Sequence, residues 1–167
     1  MSKDIVFFAH GKESGPWGTK IKKLAKIAKK YGCQVESPDY SWTMDPDERV
    51  RMLLKLKPKA GRNLILVGSS MGGYVSAVAS KYLKVKGLFL MAPAFFRIGY
   101  KIKNPKPKAK LTLIVHGIND ELIPVEHSFR YAKEHKTELY VVDSDHRLAS
   151  ALPIIEKLFE IFLKRIL

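Results

Sequence analysis

Asn63-Leu64-Ile65-Leu66-Val67-Gly68-Ser69-Ser70-Met71-Gly72-Gly73-Tyr74-Val75-Ser76-Ala77 is the stretch that decides the fold. The apolar run 63–67 reads as a strand and the residues from Gly73 onward as a helix, so Ser70 stands at the apex of a sharp strand-to-helix turn. The pattern is Gly-x-Ser-x-Gly. Gly68 and Gly72 let the backbone turn tightly enough to hold the Ser70 hydroxyl out at the end of a sheet. Alone the pattern is weak; its weight comes from the strand before it, the helix after it and the acid and histidine that follow downstream.

Working outward, six apolar runs read as strands, at 4–9, 33–37, 63–67, 85–91, 111–116 and 138–142. Several are apolar throughout, as strands buried on both faces of a helix-covered parallel sheet are. Trp17, Ile21, Leu24, Ile27, Ala28 and Tyr31 form one apolar stripe opposite a lysine face, and Gly32 ends that helix. Asp45-Pro46-Asp47-Glu48 opens a second helix, with Asp45 as cap and Pro46 at the first helical position, and turns Val50, Leu53 and Leu54 inward. A third helix is expected over 71–82. A fourth starts near Pro124 with Val125, Phe129 and Ala132 on its inner side. A last one carries Leu152, Ile155, Leu158, Phe159, Phe162 and Ile166 at helical spacing. This alternation predicts a single domain over 1–167: a three-layer α/β/α sandwich on a mostly parallel six-stranded sheet. The Lys- and Pro-rich segment 101–110 reads as an exposed connector too short for a cap domain.

The chain has 167 residues and a net charge of +14, unevenly spread. Residues 49–119 hold fifteen Lys and Arg and no Asp or Glu. The plain reading is a solvated basic surface; the sharper one is attraction of anions, either nucleic acid or a phosphorylated substrate such as an acyl-coenzyme A. No apolar run approaches the roughly 18 residues of a membrane span. The start, Met1-Ser2-Lys3-Asp4 leading into a short apolar run, lacks the features of a signal peptide, so a cytoplasmic location is expected. The single cysteine, Cys33, reads as a small buried hydrophobe, and thiolate metal clusters are excluded.

A serine hydroxyl needs a base to take its proton, and an imidazole needs a third group to fix its tautomer. Two loops supply these groups. His116-Gly117-Ile118-Asn119-Asp120-Glu121 follows the fifth strand, and Asp143-Ser144-Asp145-His146 follows the sixth. Loops at one edge of a parallel sheet are neighbours in space, so Ser70, Asp120 and His146 can converge. Glu121, Asp145 and Asp143 are the competing acids. Of the other histidines, His127 and His135 read as surface residues and His116 as one that packs or hydrogen-bonds locally. His10-Gly11 ends the first strand, where the backbone N–H of Lys12 and that of Met71 would form an oxyanion hole. Trp17, Tyr40, Trp42, Phe95, Phe96, Leu122 and Ile123 fall in or beside loops at the same edge and are candidates for a substrate pocket, with a core role the alternative for Trp17 and Phe95.

These points resemble the α/β-hydrolase superfamily, and within it the small, cap-less bacterial esterases and thioesterases. The carriers are His10-Gly11 with Ser14-Gly15-Pro16, the Gly68 to Tyr74 elbow, Ala92-Pro93-Ala94, Asn119-Asp120-Glu121 and Asp145-His146. The resemblance implies Ser70 as nucleophile, Asp120 as acid and His146 as base, acting without cofactor or metal on a carboxylic ester or thioester. Two departures add charge near the mouth: Lys12 replaces an apolar residue and Arg147 follows the histidine. The short segment after Ala94 implies an open site. A peptidase or acyltransferase would use the same triad. A non-catalytic protein binding nucleic acid or another polyanion through its basic segments is the alternative of another class. Monomer and dimer are both open.

Overall fold

The computed structural model describes residues 3–58 and 61–167. Its strands β1 (Ile5–Ala9), β2 (Gln34–Glu36), β3 (Leu64–Ser69), β4 (Val85–Met91), β5 (Leu111–Gly117) and β6 (Glu138–Val142) form one sheet in the order β2-β1-β3-β4-β5-β6. Every neighbouring pair is parallel. The helices are α1 (Thr19–Lys30), α2 (Pro46–Leu56), α3 (Met71–Ser80), α4 (Val125–His135) and α5 (Leu152–Ile166).

Side chains alternate along each central strand, and the two faces feed two cores. Val6, Phe8, Ile65, Val67, Phe89, Met91, Leu113 and Val115 pack under α1 and α5. Ile5, Phe7, Leu64, Leu66, Leu88, Leu90 and Ile114 pack under the layer that holds α2, α3 and Tyr131 of α4. Continuous apolar strands are therefore the sum of two interleaved faces. The result is the expected three-layer α/β/α sandwich. The chain leaves β1 toward one edge and β3 toward the other, so the order reverses between these two strands, the place where open parallel sheets bind ligands at their carboxyl ends.

The structure differs locally from these expectations in four places. The second strand is shorter than 33–37, because it is an edge strand whose residues are largely exposed. Cys33 lies just outside it, buried, and burial pushes its thiol up to about 11. On α4 the inner face is Val125, Ser128 and Tyr131, and Phe129 is 55% exposed. Segment 92–110, which crosses from β4 to β5 without a helix, is pinned rather than free. The Tyr131 hydroxyl donates to Pro105 O at 2.8 Å, and Lys108 N donates to Ser80 Oγ at 2.9 Å. His127 and His135 face this segment, half-buried against Phe96 and Tyr131, instead of lying on the open surface.

Candidate active site

Ser70 sits between β3 and α3 with φ 55° and ψ −117°, a conformation that L-residues rarely adopt and that is held by what surrounds it. Its amide donates to Met91 O at 2.9 Å, and its carbonyl accepts from Ala94 N at 3.0 Å. The glycines allow this. A Cβ on Gly68 would stand 2.2 Å from Gly72 O, and one on Gly72 would stand 1.8 Å from Ala9 O, so the elbow packs backbone on backbone.

The Asp120 and His146 loops are laced together before their side chains meet. Asn119 N donates to Ser144 O at 3.0 Å, and a Cβ on Gly117 would collide with Ser144 O at 2.3 Å. The contacts then run in one line. His146 Nδ1 donates to Asp120 Oδ2 at 2.7 Å, which leaves Nε2 to accept from Ser70 Oγ at 3.0 Å. Asp120 Oδ1 accepts from the amides of Leu122 (2.9 Å) and Ile123 (2.8 Å). Burial opposes ionisation of Asp120, but the Ile123 amide and the His146 and His116 rings outweigh it and hold its pKa below the ordinary value. The competing acids are engaged elsewhere or exposed. Asp143 accepts from Asn119 Nδ2 at 2.9 Å, Asp145 accepts from its own loop's amides at Arg147 and Leu148, and Glu121 is exposed.

His116 lies inside β5, fully buried, and its Nε2–H is shared between Asp120 Oδ2 and Ile123 O, both at 3.0 Å. Desolvation lowers its pKa, so Nδ1 accepts from the Ser128 hydroxyl at 2.7 Å. Its packing was legible in the sequence; its hold on Asp120 was not.

Arg49 went unnoticed in the sequence. It is 1% exposed, and its guanidinium donates to Thr43 O (2.9 Å), Gly11 O (2.9 Å), Lys12 O (3.2 Å) and His10 O (3.3 Å). His10 is buried beside it. Its Nδ1–H donates to Gly11 O at 2.8 Å while Nε2 accepts from Tyr40 N at 2.9 Å. Met71 opens α3, so its N–H is a first-turn donor with no helical partner at the positive end of the helix.

The pocket candidates divide. Trp17, Trp42 and Leu122 are exposed at 42%, 63% and 58%, so Trp17 is not core and lies outside the buried face of α1. Phe96 is half-buried, with the Arg130 guanidinium over its ring. Tyr40, Phe95 and Ile123 are core instead, because each meets a partner inside: Tyr40 the edge of His10, Phe95 the face of Tyr131 at 3.9 Å, and Ile123 the loop bonds to Asp120 and His116. Among the described residues no three His, Cys, Asp or Glu are gathered to hold a metal ion, and no helix is long and apolar enough to cross a membrane.

Residues 5–100 match an uncharacterised protein family, UPF0227. A solved protein of the α/β-hydrolase superfamily from Xanthomonas campestris pathovar campestris is 30% identical, with a TM-score of 0.90 over 99% of each chain. An esterase from Pyrococcus furiosus is 18% identical and superposes with a TM-score of 0.76 over 98% of this chain and 82% of its own. A serine hydrolase without a lid from Xanthomonas campestris, also 18% identical, gives 0.72 over the same shares. These last two share the fold. A comparison with curated proteins finds no match.

Proposed function

The chain belongs to the UPF0227 family and to the α/β-hydrolase superfamily, and from that premise we propose that it is a serine hydrolase cleaving carboxylic esters or thioesters through an acyl-enzyme. The observation that carries the reading is the unbroken hydrogen-bonded line from Ser70 Oγ through both nitrogens of His146 to Asp120. In this reading Ser70 Oγ attacks the substrate's carbonyl carbon as His146 Nε2 takes its proton, and Asp120 holds the imidazolium in place. The carbonyl oxygen becomes an oxyanion bound by the backbone N–H groups of Met71 and Lys12. Collapse breaks the ester or thioester bond, and the leaving group departs with the proton from His146. Water, deprotonated by the same nitrogen, then releases the acid and frees Ser70.

In this reading the reaction belongs to one domain spanning the chain and uses no cofactor or metal in any step. The exposed cations Lys12 and Arg147 beside the site favour an anionic leaving group, of which an acyl-coenzyme A is one. Labelling with a fluorophosphonate probe tests the reading, followed by turnover of p-nitrophenyl esters of graded chain length. Wild-type protein should label and turn over, and Ser70→Ala should do neither while melting at the wild-type temperature or above. Undiminished turnover in Ser70→Ala would exclude Ser70 as the nucleophile. Folded wild type that fails to label would turn attention to polyanion binding.

A further inference from the structure

The loop after β1 is held from behind by a charge. Arg49 lies in the first turn of α2, where the helix dipole disfavours a cation, and it is fully enclosed. Among the described residues it meets no carboxylate at ion-pair distance. A buried cation without a counter-charge is costly unless its donors are satisfied. All four of its bonds go to backbone carbonyls, and three of those belong to the consecutive residues His10, Gly11 and Lys12.

The consequence follows from the geometry of one peptide. In a planar trans peptide the C=O and N–H point in opposite directions. The Gly11 carbonyl points at Arg49 and His10, so the Lys12 N–H of the same peptide points away from them. Gly11 itself backs onto the elbow, since a Cβ placed on it would lie 3.5 Å from Ser70 Cβ and 3.6 Å from Ser69 O. The Gly11 oxygen thus has both lone pairs engaged, one by a neutral imidazole and one by a cation. Donation into a carbonyl polarises the peptide and makes its N–H a stronger donor, most of all where the first donor is charged and the surroundings are dry.

We propose that Arg49 is the positioning residue of the oxyanion hole: its buried guanidinium, gripping the carbonyls of His10, Gly11 and Lys12, fixes the direction of the Lys12 N–H and strengthens it toward a developing oxyanion. The inference rests on the serine-hydrolase reading above. It makes a demand that an anchor joining α2 to the loop would not make, namely that loss of Arg49 weakens binding of the oxyanion and spares binding of the substrate.

The test compares Arg49→Met, Arg49→Lys and, as a control for loss of a nearby charge, the exposed Arg51→Met. For each, kcat and KM are measured on p-nitrophenyl acetate, together with inhibition by an alkyl trifluoromethyl ketone, which adds Ser70 to give an oxyanion in the hole. Arg49→Met should lose about 10–100-fold in kcat and the same factor in ketone affinity, with KM within about twofold of wild type. Arg51→Met should match wild type on all three readouts. Arg49→Lys, which keeps the cation without the planar fork, should fall between and carries the comparison if Arg49→Met does not fold. A folded Arg49 variant with wild-type kcat, or one whose kcat falls while ketone affinity stays put, overturns the proposal. Fluorophosphonate labelling of the wild type is scored separately: its failure overturns the hydrolase reading and this inference with it, whereas labelling with unaffected Arg49 variants overturns this inference alone.

Discussion

Asp120 has every acceptor position occupied, by two amides on Oδ1 and two imidazoles on Oδ2. One of those rings, His116, and the remote ring of His10 are buried, and desolvation is the first cause lowering the pKa of each. Both work in the neutral form, His116 by accepting from Ser128 and His10 by accepting from Tyr40 N. Their effect on stability has a definite sign. Their folded pKa values lie below the unfolded value of about 6.5, so the unfolded chain takes up protons first as pH falls. Stability should therefore hold above about pH 7 and decline below 6.5, by up to about 1.4 kcal/mol per pH unit for each histidine. Asp120 acts lower down. Its folded pKa is depressed, so its contribution is present above the unfolded value of about 3.9 and is lost as pH falls through the folded one. Urea midpoints measured from pH 8 to pH 3 should show these two stages, with the first reduced in His116→Gln. A midpoint that stays flat from pH 8 to 4.5 would count against neutral buried histidines.

The elbow is set by how closely α3 approaches β1. A Cβ on Gly72 would meet Ala9 O at 1.8 Å and His10 O at 2.8 Å, backbone atoms of the last residue of β1 and of the residue after it. Gly72→Ala must push the helix off the sheet, so its cost belongs at or beyond the upper end of the roughly 1–3 kcal/mol of core overpacking. Urea unfolding should report that loss, along with failure of Ser70 to label. Gly15→Ala, where a Cβ meets nothing within 4 Å, should unfold like wild type. The tight turn was legible in the sequence, because Gly-x-Ser-x-Gly between an apolar strand and a helix has few other meanings; the approach of α3 to β1 was not. The four central strands were legible too, since a continuous apolar run carries both faces of a buried strand, whereas the edge strand β2 has no such run and came out shorter than 33–37. What escaped were polar groups turned inward. Helical spacing puts Phe129 on the inner face of α4, but the inner position belongs to Ser128, whose hydroxyl meets His116. Arg49 passed for part of a basic surface because its acceptors are carbonyls, which have no side-chain signature. Hydrophobic periodicity finds apolar faces and has no means of finding a buried polar group whose partner is backbone.

At the scale of the whole molecule the charges are sorted by the fold. Each helix linking two parallel strands runs back against them, so helix amino ends gather at the edge with Ser70 and helix carboxyl ends at the opposite edge. The last turns carry Lys29 and Lys30, Lys55, Lys133 and His135, and Lys164 and Arg165, while acids in first turns are Asp47, Glu48 and Glu126. Each charge suits the helix dipole locally. The cations far outnumber the anions, however, and among the described residues only Lys23, Arg51, Arg130 and Arg165 meet a carboxylate at ion-pair distance. The base opposite the site is therefore a field of mutually repelling cations, part of a net charge of +14. Screening should relieve it. The Debye length shrinks from about 30 Å at 0.01 M salt to about 8 Å at 0.15 M, so the Tm should rise by roughly 5 °C between 0.01 M and 0.3 M sodium chloride. A Tm that falls with salt would mean that attractive pairs outweigh repulsion. Lys29→Glu with Lys55→Glu places two anions in that field. The double variant should flatten the salt dependence of the Tm, and its labelling by a fluorophosphonate should equal that of wild type because both residues lie at the far edge of the sheet from Ser70.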